Sequence, residues 1–365
     1  MAAKFLTDAE LPNFDDEAKL ERFKEASHSY GRTALLLSGG ATLGYYHLGV
    51  TRALWSEDLL PPVISGSSMG AIIASAVCTR NDAEIAEWFD DIHTQSPRAL
   101  VRLPLKKAIS DRAILDQTAL RTELEANIEN LTFSEAFEQS GRVLNITVSP
   151  TRRRQKPRLL NHRTAPDVLI IPACMASAAV PGLFPPVTLE RKTAEGQIMP
   201  YQATEQWADG SLVSDVPKRR LSRLQNVNHF IVSQMNPHVL PFAQVSTGPG
   251  LVPWTVRVAT RLARGQSKGL LDAAKYVGLS TPVGPLLDGA HAFVGQDYGG
   301  DINIHPRFDP ALYAKMFSNP SAVDLGRFVM EGQRATWPHM EIIRNQTAIG
   351  RALDSAIYRL RGRSS

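Results

Sequence analysis

Residues 33–37 and 62–64 are short apolar runs, and each stops at a cluster of small residues, Ser38-Gly39-Gly40 and Gly66-Ser67-Ser68, before helical spacing begins. Apolar runs that short, bounded by turn residues, fit buried strands, here 33–37 and 62–68. Residues 45–55 and 69–79 read as helices. Two successive units of strand, glycine turn and helix predict a parallel sheet covered by helices, because parallel strands need crossover connections. The fold class expected is α/β.

The pattern continues with helical stretches near 82–93, 116–128 and 167–179. Strands are expected at 143–149, 158–161, 206–208 and 229–233, the first two flanking the basic turn Arg152-Arg153-Arg154-Gln155-Lys156. Residues 15–26 are highly charged with few apolar positions, which predicts a solvent-facing helix. From 237 to about 300 proline and glycine are frequent and strand signal is weak, while 323–361 is patterned as helix. These shifts divide the chain into a helical lead-in (1–30), a catalytic core (31–235), an insertion, lid or interface segment (236–300) and a C-terminal strand with helices packing on the core (301–365). No internal repeat is found.

With 365 residues, 43% of them hydrophobic, the chain has ample material for a buried core, so disorder is not expected. Its formal net charge of +4 is small, and no nucleic-acid reader motif accompanies it, which argues against a nucleic-acid partner. Cys78 and Cys174 lie in apolar surroundings without CxxC spacing, which suits a reducing cytoplasm. The N-terminus meets acidic residues at once and lacks the apolar core of a signal peptide. Two stretches without charge, 168–189 and 235–256, are interrupted by prolines, so neither is expected to span a membrane.

Gly66-Ser67-Ser68-Met69-Gly70 places Ser68 between a strand and a helix, the setting of a nucleophile elbow. Gly66 and Gly70 would remove Cβ atoms that such a turn cannot fit. One G-x-S-x-G match is weak evidence; the flanking strand and helix strengthen it. Ser38-Gly39-Gly40-Ala41 can offer backbone N–H groups to a developing oxyanion, each worth about 3 to 4 kcal/mol in comparable sites. A phosphate loop is opposed by Tyr45 and Tyr46, which stand where Lys and Ser/Thr are required. Asp209, in Trp207-Ala208-Asp209-Gly210-Ser211, either ends a strand on the nucleophile's edge of the sheet or marks an ordinary Asp-Gly turn. A Ser-His-Asp triad would draw on His229, His238, His291, His305 or His339, none in a recognisable signature, and His47 fits packing or turn-bracing better than catalysis. No metal-ligand spacing is present, and no cofactor is expected.

Taken jointly, Ser38-Gly39-Gly40, Gly66-Ser67-Ser68-Met69-Gly70 and Asp209-Gly210 resemble the three motifs of patatin-like phospholipases, in the expected order. Segments such as His47-Leu48-Gly49-Val50, Leu59-Leu60-Pro61, Gln296-Asp297-Tyr298-Gly299-Gly300 and Gln333-Arg334-Ala335-Thr336-Trp337-Pro338 are similar to the branch of patatin-like triacylglycerol lipases. The resemblance runs from about residue 20 to the C-terminus. It implies a three-layer α/β/α fold with a mainly parallel central sheet and a helical C-terminal region. It also implies a Ser-Asp dyad, with Ser68 as nucleophile, Asp209 as base and an oxyanion hole at Gly39, Gly40 and Ala41. Ala41 stands where many members have a third glycine. Leu43 replaces a frequent basic residue, which suits a neutral glyceride at least as well as a phospholipid.

The activity implied is hydrolysis of lipid carboxylic esters, first of acylglycerols. Phospholipase A or lysophospholipase action, acyl transfer to a lysolipid, and a catalytically silent lipid-surface scaffold are the alternatives. A lipid substrate is the expected partner, with peripheral contact at a membrane or lipid-droplet surface. For that contact the chain offers a basic stripe within 254–277 (Arg257, Arg261, Arg264, Lys268, Lys275) and the cluster at 152–158, each also readable as a solvated face.

Overall fold

Strands that are apolar on both faces need a layer of helices on each side, and that is how the chain folds. The computed structural model describes residue 7 and residues 15–91, 97–111, 113–152, 155–210, 216–235, 299–307 and 314–364. The N-terminal half runs α1 (Asp16–Tyr30), β1 (Arg32–Leu37), a 3₁₀ turn (Ala41–Tyr45), α2 (Tyr46–Ser56), β2 (Val63–Gly66), α3 (Met69–Cys78) and α4 (Asp82–Asp91). Then follow α5 (Leu105–Asp111), α6 (Gln117–Asn127), α7 (Phe133–Ser140), β3 (Val143–Pro150), β4 (Arg158–Leu160) and α8 (Ile170–Ala178). The remainder comprises β5 (Glu190–Lys192), β6 (Ile198–Pro200), β7 (Trp207–Asp209), α9 (Lys218–Gln225), β8 (Val227–Ser233), β9 (Ile302–Ile304), α10 (Ala322–Thr336) and α11 (Met340–Ser364).

The main sheet has the order β4-β3-β2-β1-β8-β9, with β7 also paired to β3. β1 lies parallel to β2 and β8, β2 to β3, and β8 to β9, whereas β4 and β7 run antiparallel to β3. Alternation along the strands sorts side chains between two cores. Leu35, Leu37 and Ile64 join the larger cluster, with Leu48, Ala74 and Ile171 from α2, α3 and α8. Ala34, Leu36 and Val63 join the smaller, which includes Leu221 of α9. Each fully buried Leu or Ile contributes about 1.5–3 kcal/mol. The mainly parallel sheet between helices and the helical C-terminus agree with the expected fold class.

Several elements depart from the sequence pattern. The helical pattern over 323–361 is divided into two helices by a 3₁₀ turn, Trp337–His339, whose position the pattern did not mark. Pro338 lacks the N–H that would continue the ladder and collides with the carbonyl four residues back. α8 tolerates Pro172 because it falls in the first turn, where N–H groups have no helical partner. α7 was not expected; it starts with a capping box, Thr132 Oγ1 accepting from Glu135 N and Glu135 Oε2 accepting from Thr132 N. The solvent-facing lead-in helix is longer than expected and leans on α11, Tyr30 Oη donating to the carbonyl of Gln346 at 3.3 Å.

Both cysteines are fully buried, and burial pushes each thiol up to about 12. Among the described residues no helix is long and apolar enough to cross a membrane. Residues 236–298, which hold most of the expected insertion and the whole basic stripe at 254–277, lie outside the described residues, as do Arg153, Arg154, Ser211, His238 and His291.

Candidate active site

The turn after β2 forces Ser68 to φ +52°, ψ −123°, a conformation that side-chain-bearing residues rarely adopt and that costs about 1–3 kcal/mol. Its surroundings hold it there. Ser68 N donates to Ser177 Oγ at 2.9 Å, and Ser177 Oγ donates onward to the carbonyl of Thr147 at 2.8 Å. The Ser68 carbonyl accepts from Ala71 N and Ile72 N, starting α3. A Cβ on Gly66 would run into the backbone of Gly70 and Ala71, and one on Gly70 into the carbonyls of Leu37 and Ser38. The elbow therefore needs glycine at both positions for close approach. Ser177, fully buried on α8, is a positioning residue that sequence reasoning missed; a lone serine in the run Ala-Cys-Met-Ala-Ser-Ala carries no signal of its own.

The turn after β1 is tied to the end of β8. Ser38 N donates to the carbonyl of Ser233, and Ser38 Oγ accepts from Met235 N at 2.7 Å. His47 completes the tie: Nε2 lies 3.0 Å from the Ser38 carbonyl and Nδ1 lies 2.7 Å from Ser233 Oγ. A carbonyl only accepts, so Nε2 carries the proton and Nδ1 accepts from the serine hydroxyl. Burial lowers the pKa of His47 from 6.5 to about 4. Turn-bracing, the role expected for His47, is what these bonds perform.

That neutral histidine sets a pH dependence of stability. Its folded pKa is depressed, so between about pH 6.5 and 4 the unfolded chain binds a proton that the fold does not. Stability is complete above pH 6.5 and falls as pH drops toward 4, by up to about 3 kcal/mol. Urea midpoints at pH 7 and pH 4.5 measure it, and His47→Gln should flatten the slope; equal slopes in both proteins would contradict this account.

Gly40 and Ala41 follow the brace, and neither backbone N–H donates to any described residue. Ala41 sits at φ +47°, in the left-handed region that favours glycine. Ala41→Gly is expected to keep stability within about 1 kcal/mol, because relief of strain is offset by greater freedom of the unfolded chain. Ala41→Val, with a branched Cβ at positive φ, should lose about 2 kcal/mol in the same urea titration.

Asp209 ends β7, opposite Val148 of β3, and its N–H donates to the carbonyl of Ala179 at 3.0 Å. A Cβ on Gly210 would strike the carbonyl of Thr147, so this Asp-Gly pair is a close packing of two chain segments. Ser68 and Asp209 are 8% and 3% exposed, and both line one cavity of about 360 Å³ together with Gly39, Gly40 and Ala41. The rest of the wall is mostly apolar, with Leu115, Leu120, Leu183 and Phe184 among it. No Lys, Arg or His among the described residues contributes, and Glu123 does. His229 bonds Thr33 and Gln346 at the opposite edge of the sheet, and His305 and His339 are away from the cavity. No cluster of metal-ligating side chains exists among the described residues.

A family model described as patatin-like phospholipase matches residues 35–220. The chain is 35% identical over 372 residues to a protein named triacylglycerol lipase SDP1L from Arabidopsis thaliana, with 97% of this chain and 46% of that one covered. It is 34% identical to triacylglycerol lipase 4 from Saccharomyces cerevisiae, over 100% of this chain and 42% of that one. Against triacylglycerol lipase ptl3 from Schizosaccharomyces pombe it is 33% identical over 97% of this chain and 75% of the relative. The chain thus spans less than half of the plant and Saccharomyces relatives. A family match over 35–220 and a relative covered across 75% of its length leave one assignment: the chain belongs to the patatin-like phospholipase family.

Proposed function

We propose that this protein is a serine acyl hydrolase of lipid carboxylic esters, acting first on acylglycerols. The observation that carries this is the convergence of Ser68, Asp209 and the undonated N–H groups of Gly40 and Ala41 on one apolar cavity. Ser68 Oγ attacks the ester carbonyl while Asp209 accepts its proton, and the amides of the glycine turn hold the oxyanion. Collapse expels the glyceride alcohol, which takes the proton back from Asp209. Water, deprotonated by Asp209, then attacks the acyl-enzyme, and the fatty acid leaves as Ser68 Oγ takes that proton back from Asp209. Among the described residues Ser68 Oγ makes no hydrogen bond, so the contact with Asp209 tightens when substrate is bound, as catalytic contacts commonly do.

Substrate class follows from charge. A phosphodiester beside Ser68 would find no cation among the described residues of the cavity wall and two carboxylates, Glu123 and Asp209, whereas a neutral ester meets no penalty. The names of the relatives point the same way. Tri-, di- and monoacylglycerol and phosphatidylcholine presented to one preparation test the assignment: a triacylglycerol should be cleaved fastest, and faster cleavage of phosphatidylcholine would replace it with a phospholipase.

Contact with a lipid surface has support beside the cavity mouth. α5 carries Leu105 and Ile109 on one face, 77% and 71% exposed, and Phe317, which lines the cavity, is also exposed. Leu103 N donates to the carbonyl of Ile114, and the amides of Ile114 and Leu115 to that of Leu183, so α5 is tied to the cavity rim. Leu105→Glu with Ile109→Glu should lower hydrolysis of emulsified triacylglycerol about tenfold or more and spare a soluble short-chain ester. An equal effect on both substrates would remove α5 from the interface.

A further inference from the structure

A second cavity, about 660 Å³, opens between the β3–β4 hairpin, the start of β7 and α9. Its chemistry is the reverse of the first. Lys156, Arg158, Arg220 and Arg223 line it, and none of the four forms an ion pair among the described residues. The nearby buried carboxylate of Glu205 is answered by Arg152 at 3.7 Å and by Gln155 Nε2 at 3.2 Å, not by any of these four. Leu159, Leu224, Tyr201 and Trp207 give the same cavity an apolar wall. Trp207 is 1% exposed, yet its indole N–H has no hydrogen-bond partner among the described residues. A buried donor without an acceptor costs about 1–3 kcal/mol, a cost that an acceptor on a ligand in this cavity would relieve.

We infer that this cavity is a binding site for a phosphate-bearing lipid, distinct from the ester-cleaving site. The phosphate sits among Arg158, Arg220, Arg223 and Lys156, where guanidinium groups can pair with its oxygens two at a time, and the first part of the acyl stem lies on Leu159, Leu224 and Tyr201. Burial, and then the neighbouring Arg158, hold Arg220 below its ordinary pKa, so the cluster is mutually repelled until an anion enters. Four cations call for a phosphate with two charges more than for a carboxylate with one. Lys156 and Arg158, from the basic cluster that the sequence reads either as a lipid-contact patch or as a solvated face, thereby meet Arg220 and Arg223 of α9, about 60 residues later in the chain.

The test uses the full chain carrying Ser68→Ala, so that no probe is consumed. Dioctanoyl phosphatidate, monomeric in water, is titrated by calorimetry beside inorganic phosphate and octanoate, and vesicles of phosphatidylcholine with and without phosphatidate are sedimented with the protein. The phosphatidate should bind at least about tenfold more tightly than inorganic phosphate or octanoate, and phosphatidate should raise vesicle binding at least about tenfold over phosphatidylcholine alone. Arg158→Gln with Arg220→Gln should weaken both at least about tenfold while the melting temperature of the unliganded protein stays level or rises, because a repulsion has been removed. Arg223→Gln alone serves if the double variant fails to fold. Undiminished phosphatidate binding in the charge variants, or inorganic phosphate binding as tightly as the lipid, would overturn the inference. Neither result bears on ester hydrolysis, which is read separately in the Ser68-containing protein.

Discussion

Ser68→Ala is expected to reduce lipid-ester hydrolysis by about 10⁴-fold or more and to leave the protein folded. The scaffold depends on the Ser68 backbone, since its N–H is bound by Ser177 and its carbonyl starts α3, whereas its hydroxyl bonds no described residue. Alanine also bears the positive φ no worse than serine. A fluorophosphonate should label the wild type once, at Ser68, and leave the alanine variant unlabelled. Labelling elsewhere, or residual hydrolysis near the wild-type rate, would move the nucleophile away from the elbow.

Asp209→Asn should cost about 10³-fold in hydrolysis, again without unfolding. Asparagine keeps the shape and leaves the β7 hydrogen bond to Ala179 intact, but its amide cannot accept the serine proton. The rival triad makes the opposite prediction for one histidine. Replacing His229, His238, His291, His305 and His339 singly should leave activity within a few-fold of wild type; complete loss in one folded variant, together with an active Asp209→Asn, would install a histidine as base. His47 stays out of that series because its removal would slacken the turn it braces.

Much of this was legible in the sequence because it is local. The runs at 33–37 and 62–64 became β1 and β2, and Gly66-Ser67-Ser68-Met69-Gly70 lies where a strand gives way to a helix. Asp209 was ambiguous alone, since an Asp-Gly pair looks the same in a loose turn as in a strand end packed on Thr147. What escaped depends on distance. Ser177 holds Ser68 across 109 residues, and His47 reaches Ser233 across 186, and no periodicity encodes such pairings. α5 escaped for another reason: Leu105 and Ile109 look like core residues in one dimension, and only the fold leaves them facing outward. Pro338 did announce the break between α10 and α11, but helical spacing on both sides of it masked the signal.

Cys78 and Cys174 are the only thiols in the chain, both sealed in the core and both far too weakly acidic to form thiolate at neutral pH. Native protein is consequently a blank background for maleimide chemistry. A single cysteine placed at Leu105, at Phe317 or beside the basic cavity would be the one reactive group, so a fluorophore or spin label could follow each surface against lipid without first removing the natural cysteines.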